Sequence, residues 1–115
     1  MTVVRSLAAA QTIPQRGDVE ANLAGHIPLI HAAAEGQARV LVFPELSLTG
    51  YELDLAAALA FSESDPRLTP LIDLAAAHNM TLVVGAPVRI ASSLHIGAFI
   101  LSPDRSVDLY TKHYL

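Results

Sequence analysis

Two side chains in this sequence are of types that could do chemistry together, Glu45 and Lys112. Glu45 lies in Leu41–Tyr51, LVFPELSLTGY, where Pro44 ends an apolar β-type run from Val40 to Phe43. The small and turn-forming residues Ser47, Thr49 and Gly50 follow. Burial between Phe43, Leu46 and Leu48 would disfavour the charged carboxylate and suit it to general acid or base work near neutral pH. The plainer alternative is a carboxylate that caps the following helix or sits in water at a turn. Lys112, near the end of the chain, offers a cation that could stabilise an oxyanion; taken alone it reads as a solvated terminal lysine. The chain has no cysteine, which excludes disulfides, thiolate metal sites and a thiol nucleophile within it. The five histidines are scattered without a pair at metal-ligand spacing, so neither metal nor cofactor is assigned.

The elements that must position these groups follow from periodicity. Val3–Ala10 reads as a first strand and residues 12–17 as a polar connection containing Pro14. Asp18 is placed to cap a helix, with Glu20 in its first turn favouring the dipole. Val19, Leu23, Ile27, Ile30 and Ala34 make one helical face. Pro28 should kink this helix, eased by Gly25, and Gly36 should end it in a left-handed cap. Arg39–Phe43 is a second strand, apolar as a buried parallel strand is. Leu53–Phe61 reads as a short helix. Ser64-Asp65-Pro66 begins another that runs through Leu68, Leu71, Ile72 and Ala75 to His78-Asn79. Thr81–Val88 is a third strand, residues 91–94 a loop and His95–Leu101 a fourth strand. After a turn at residues 102–106, Val107–Tyr110 is a fifth.

This order predicts an α/β layer ending in hairpins. Strands joined by helical crossovers run parallel, whereas short connections reverse direction. The first three strands should therefore point one way, the fourth against them and the fifth with them. The C-terminal ends of the second and fifth strands then share one sheet edge. Glu45 lies just past one end and Lys112 just past the other. In open α/β sheets that edge is where ligands bind.

Composition narrows the class further. With 115 residues the chain has the size of one domain, residues 1–115. Its residues are 52% hydrophobic and 16% charged, which places it among globular proteins and hints at apolar surface meant to meet something else. A net charge of −4 without a basic cluster argues against nucleic acid and an anionic membrane as partners. The opening MTVVRSLAAAQ is too short in its apolar part for a secretion signal, and no run has the length of a membrane span. A cytoplasmic location is the expectation.

FPELSLTGY at Phe43–Tyr51 resembles the glutamate motif of the carbon–nitrogen hydrolases, the nitrilase superfamily. Ala8–Gln11 (AAAQ) is similar to that family's first strand, and Asp18–Asn22 (DVEAN) to the start of its first helix. Leu82–Val88 (LVVGAPV) looks like its third strand, and Tyr110–Leu115 (YTKHYL) like the segment bearing its lysine. These five pieces come in the family's order, and the resemblance spans essentially the whole chain. The resemblance implies the N-terminal half of an α-β-β-α sandwich, a mixed sheet with helices on one face. It also implies hydrolysis of a small amide, nitrile or carbamoyl compound through a Glu-Lys-Cys triad, without a cofactor. Glu45 would then be the general base and acid, and Lys112 the oxyanion stabiliser. Tyr51 would line the substrate pocket, a core tyrosine being the plainer reading. A homo-oligomer is expected by analogy.

Two departures stand out. The family's cysteine lies downstream of the lysine segment, whereas this chain ends three residues past Lys112. The chain is therefore expected to be the N-terminal part of such an enzyme, inactive by itself. Leu94-His95-Ile96 also stands where many relatives carry a Tyr-Asn pair, and a strand-end histidine there is more often structural than functional. The competing expectation is a non-catalytic subunit or remnant that completes its sandwich by pairing with another chain. A nucleotide-binding module is a third reading, weakened by the lack of a GxGxxG or GxxxxGK[ST] loop after any strand.

Overall fold

The structure is a computed structural model and describes residues 6–52 and 54–113. Its elements are β1 (Ser6–Ala9), α1 (Val19–Glu35), β2 (Ala38–Val42), α2 (Ala56–Leu59), a 3-10 turn (Pro66–Leu68), α3 (Thr69–Ala77), β3 (Thr81–Ile90), β4 (Ser93–Leu101) and β5 (Val107–His113). They build a five-stranded sheet in the order β1-β2-β3-β4-β5. β1, β2 and β3 pair in parallel, and β4 and β5 add antiparallel hairpins. This is the mixed α/β topology that the connection lengths required.

Both helical crossovers step the same way along the sheet, so their right-handedness puts α1 and α3 on the same face. The core forms there. Leu82, Val84, Ala86 and Val88 of β3 are fully buried with Phe99 and Leu101 of β4, and Ile30 of α1 and Leu71 and Ala75 of α3 join the same cluster. The alternate residues point the other way, and no described helix covers them. Leu7 and Tyr110 on that face are 73% and 75% exposed, beside partly exposed Val42, Val83 and Ile100.

The helices begin as their sequences dictate. Asp18 accepts a hydrogen bond from the Ala21 backbone N–H at 2.9 Å, satisfying one donor of the first turn. Asp65 likewise accepts from the Arg67 backbone N–H at 3.0 Å, with Pro66 following it. The Arg67 guanidinium bonds the same carboxylate at 2.9 Å and lies 3.9 Å over the Phe61 ring. This partner holds the Asp65 carboxyl down at about 2, against burial that opposes the shift.

Several expectations shift. α1 has the expected span, running through Pro28 to Glu35, but its pattern of burial differs. Its buried positions are Val19, Asn22, His26 and Ile30, whereas Leu23, Ile27 and Ala34 are only half-buried. The buried stripe therefore includes two polar residues that a hydrophobic periodicity passes over. Gly36 is not left-handed, with φ −78°; the left-handed residue is Gln37, at 62°. Of the helix expected over residues 53–61, only Ala56–Leu59 forms. Phe61 instead makes an isolated parallel bridge to Val88, donating to the Pro87 carbonyl at 2.7 Å. Leu53 and Val3–Arg5 lie outside the described residues. β4 starts at Ser93, so Ala91 and Ser92 alone make the turn that was expected to extend to residue 94. β5 runs on to His113, so Lys112 lies within the strand and not past its end.

Candidate functional site

Glu45 must reach across the sheet to meet Lys112. It follows β2, whereas Lys112 belongs to β5, three strands away and therefore roughly 14 Å distant at ordinary strand spacing. Gly85 opens the way. It lies on β3 just beyond the last β2 pairing, which is Val42 with Val83. A Cβ on Gly85 would stand 2.4 Å from the Leu46 nitrogen and 3.0 Å from the Pro44 carbonyl oxygen. Only glycine lets the loop lie directly on the strand.

The loop also takes over the edge of β3 that β2 has left. Phe43 donates to the Val83 carbonyl at 2.9 Å, and Leu48 to the Gly85 carbonyl at 2.9 Å. The Gly85 N–H is met by the Ser47 hydroxyl oxygen at 3.2 Å. Within the loop, Ser47 donates to the Pro44 carbonyl at 3.1 Å and Gly50 to the Leu46 carbonyl at 2.8 Å. Leu46 takes a left-handed conformation, φ 57°. Leu46 and Leu48 are buried to 1% and 0% exposure, while Glu45 is left outside.

On the open face the Glu45 carboxylate meets the Lys112 ammonium at 2.9 Å. The two acidic and basic residues singled out in the sequence are thus brought together. Their side chains are 44% and 63% exposed. Of the two readings of Glu45, the carboxylate in water at a turn is the one found, and its desolvation is not: its apolar neighbours turn into the core and leave the carboxylate exposed. Hydrogen bonding to Glu45, and then its charge, hold the Lys112 ammonium above the ordinary lysine value, with a smaller contribution from Tyr51.

An apolar cavity of about 350 Å³ adjoins the pair, lined among others by Val42, Gly85, Ile96, Ala98 and Tyr110. Tyr51 is 63% exposed and not among the lining residues. Tyr110, which sequence reasoning left as a strand residue, is the tyrosine that lines it. Alternation along β5 puts Tyr110 on the same side as Lys112, the signal that could have found it. His95 is half-buried on β4, in register with His113, and is not a lining residue.

Beneath the loop lies a buried polar chain that sequence reasoning missed. His26 stacks on Phe43, ring centroids 4.1 Å apart. Its Nδ1 lies 2.6 Å from the Asn22 carbonyl oxygen and its Nε2 3.0 Å from the Ser47 hydroxyl. The Asn22 side chain donates to the carbonyls of Gln15, at 3.0 Å, and Leu48, at 3.1 Å. Burial pushes His26 below the ordinary histidine value, with the Asn22 carbonyl opposing it. Asn22 and His26, one helical turn apart, carried the available signal.

Among the described residues, no group of three or more acidic, histidine or cysteine side chains is placed to hold a metal ion. Nor is any described helix long and apolar enough to cross a membrane.

The fold has close structural counterparts. An amidase from Nesterenkonia sp. superposes with a TM-score of 0.81 at 24% identity, over 96% of this chain and 43% of the amidase. A CN-hydrolase superfamily protein from Xanthomonas campestris gives 0.79 at 19% identity, over 91% and 39%. A nitrilase-superfamily member from Saccharomyces cerevisiae gives 0.77 at 22%, over 88% and 41%. The chain thus spans about two fifths of the length of these proteins and matches part of their fold. The sequence profile of the carbon-nitrogen hydrolases matches residues 6–115. With that match running almost from end to end, the chain belongs to the carbon–nitrogen hydrolase family.

Proposed function

We propose that this chain supplies the glutamate and lysine of a carbon–nitrogen hydrolase site acting on a small amide, with the thiol nucleophile provided by chain beyond these residues. The observation that carries the reading is the Glu45–Lys112 contact of 2.9 Å beside an apolar cavity. Glu45 takes the thiol proton as the sulfur attacks the carbonyl carbon. Lys112 stabilises the oxyanion that forms. Glu45 then gives the proton to the departing nitrogen and afterwards activates the water that releases the acid. Tyr51, exposed beside this loop, would border the entrance when the remaining layer is in place. The mostly apolar lining suits a small uncharged acyl group, and a variant of the Nesterenkonia amidase was solved in complex with butyramide. Because the chain has no cysteine, it should not turn over amides by itself.

The test is ammonia release from butyramide by the full-length form. Glu45→Gln should lower kcat by about 10²–10⁴-fold, the usual contribution of a general acid–base group. Unchanged turnover in that variant would overturn the reading.

The open sheet face favours a second reading that stands beside the first. Leu7, Val42, Val83, Ile100 and Tyr110 form an apolar surface that the helices leave uncovered. A second sheet packed face to face would cover it, from the same chain or from another copy. Sedimentation of this chain should show self-association or bind an apolar dye. A monomer that binds no dye would remove this reading.

A further inference from the structure

The Asn22 backbone oxygen can only accept, so the Nδ1 of His26 carries the proton in the 2.6 Å contact between them. In neutral histidine Nε2 is then an acceptor, and it takes the Ser47 hydroxyl proton at 3.0 Å. The Ser47 oxygen in turn accepts the Gly85 N–H at 3.2 Å. Every proton in this chain has one place to go, and the direction runs from β3 through the loop to α1.

We propose that His26 and Ser47 form a proton-dependent latch that holds the Glu45 loop on β3, closed when His26 is neutral and weakened when it is protonated. Protonation turns Nε2 into a donor. The Ser47 oxygen then faces two donors, and its own hydroxyl proton loses its acceptor in a buried site, where Ser47 is 1% and His26 1% exposed. An unmet donor there carries a desolvation cost. The groups facing the imidazole are Asn22 on α1, Phe43 at the end of β2 and Ser47 in the loop, whose hydroxyl oxygen also takes the Gly85 N–H of β3. A cavity of about 330 Å³ also touches the ring, with Gln11, Thr12 and Gln15 among its walls. None of these carries an ionisable side chain, so among the described residues no charge lining the imidazole masks the switch.

The burial that lowers the His26 value sets the pH window. The unfolded chain takes up this proton near the ordinary value of 6.5, and the folded chain only at lower pH. The latch therefore contributes its full stability above 6.5 and loses it as pH falls towards the lowered folded value. Ser47 and His26 touch no substrate; they are positioning residues. Their consequence for catalysis rests on the function proposed for Glu45, whereas the latch itself is read without turnover.

Nuclear magnetic resonance of this 115-residue chain decides the matter. The imidazole ¹⁵N shifts at pH 7 should show Nδ1 protonated and Nε2 bare. Hydrogen exchange at Gly85 and Leu48 should accelerate, relative to the β4 amides, as His26 protonates. Ser47→Ala should speed exchange at Gly85 by about tenfold relative to β4 at neutral pH, the loss of one buried hydrogen bond. His26→Gln, whose amide oxygen still accepts from Ser47, should keep the protection and abolish its pH dependence. The opposite tautomer, equal protection in Ser47→Ala, or a wild-type pH dependence in His26→Gln would each overturn the latch.

Discussion

Glu45 and Ser47 are two positions apart on one loop and live in opposite surroundings. Glu45 stands in water with its carboxylate on Lys112, whereas Ser47 is 1% exposed and bonded to both His26 and Gly85. The contrast separates the pair proposed to react from the residues that support it. The groups that could react contribute little to holding the fold, since exposed ion pairs are screened and weakly stabilising. The groups that cannot reach a substrate hold the loop in place. Substitutions on the two sides of the loop should therefore have unlike consequences.

The largest effect on stability should come from Gly85→Val, which drives a side chain into the loop backbone only 2.4 Å away at Cβ. Overpacking of this kind costs about 3 kcal/mol, read as a lowered midpoint in urea. Ser47→Ala removes two buried hydrogen bonds and should cost about 1–2 kcal/mol in the same assay. A second carboxylate sharpens the contrast. Asp65, 9% exposed and bonded to Arg67, caps a helical turn, and Asp65→Ala should cost about 1 kcal/mol. Its value is depressed from 3.8 to about 2, so its contribution is present above 3.8 and lost as pH falls towards 2. The Asp65→Ala variant should lack that part of the acid transition. Smallest of all, Glu45→Gln should leave the thermal midpoint unchanged. A large drop there would place Glu45 with the supporting residues and erase the distinction.

That Glu45 and Lys112 share a sheet edge was legible because it depends on connection lengths. Helical crossovers fix parallel strands and tight turns fix antiparallel ones, so the shared edge follows without any knowledge of packing. The environment of Glu45 was not legible in the same way. Phe43, Leu46 and Leu48 suggested burial, yet the left-handed backbone at Leu46 sends the loop's apolar side chains inward and the carboxylate out. Hydrophobic periodicity found the buried Val19 and Ile30 of α1 but picked Leu23 and Ile27 where Asn22 and His26 are the buried positions. A polar residue buried because it is hydrogen-bonded leaves no trace in an apolar pattern. Gly85 sat in the quoted LVVGAPV, but the backbone that crosses it comes from another part of the chain. Its role is a tertiary fact.

Everything proposed for this site depends on Lys112 and Glu45 being partners on the open sheet face. The most direct measurement is an NMR titration of the Lys112 side chain in this chain and in its Glu45→Gln variant. With the pair formed, Lys112 titrates above the ordinary 10.5, because hydrogen bonding to Glu45 and the carboxylate charge favour the ammonium. The account predicts that Glu45→Gln returns Lys112 most of the way to 10.5 while the sheet remains intact. A Lys112 titration that is the same in both proteins would contradict it.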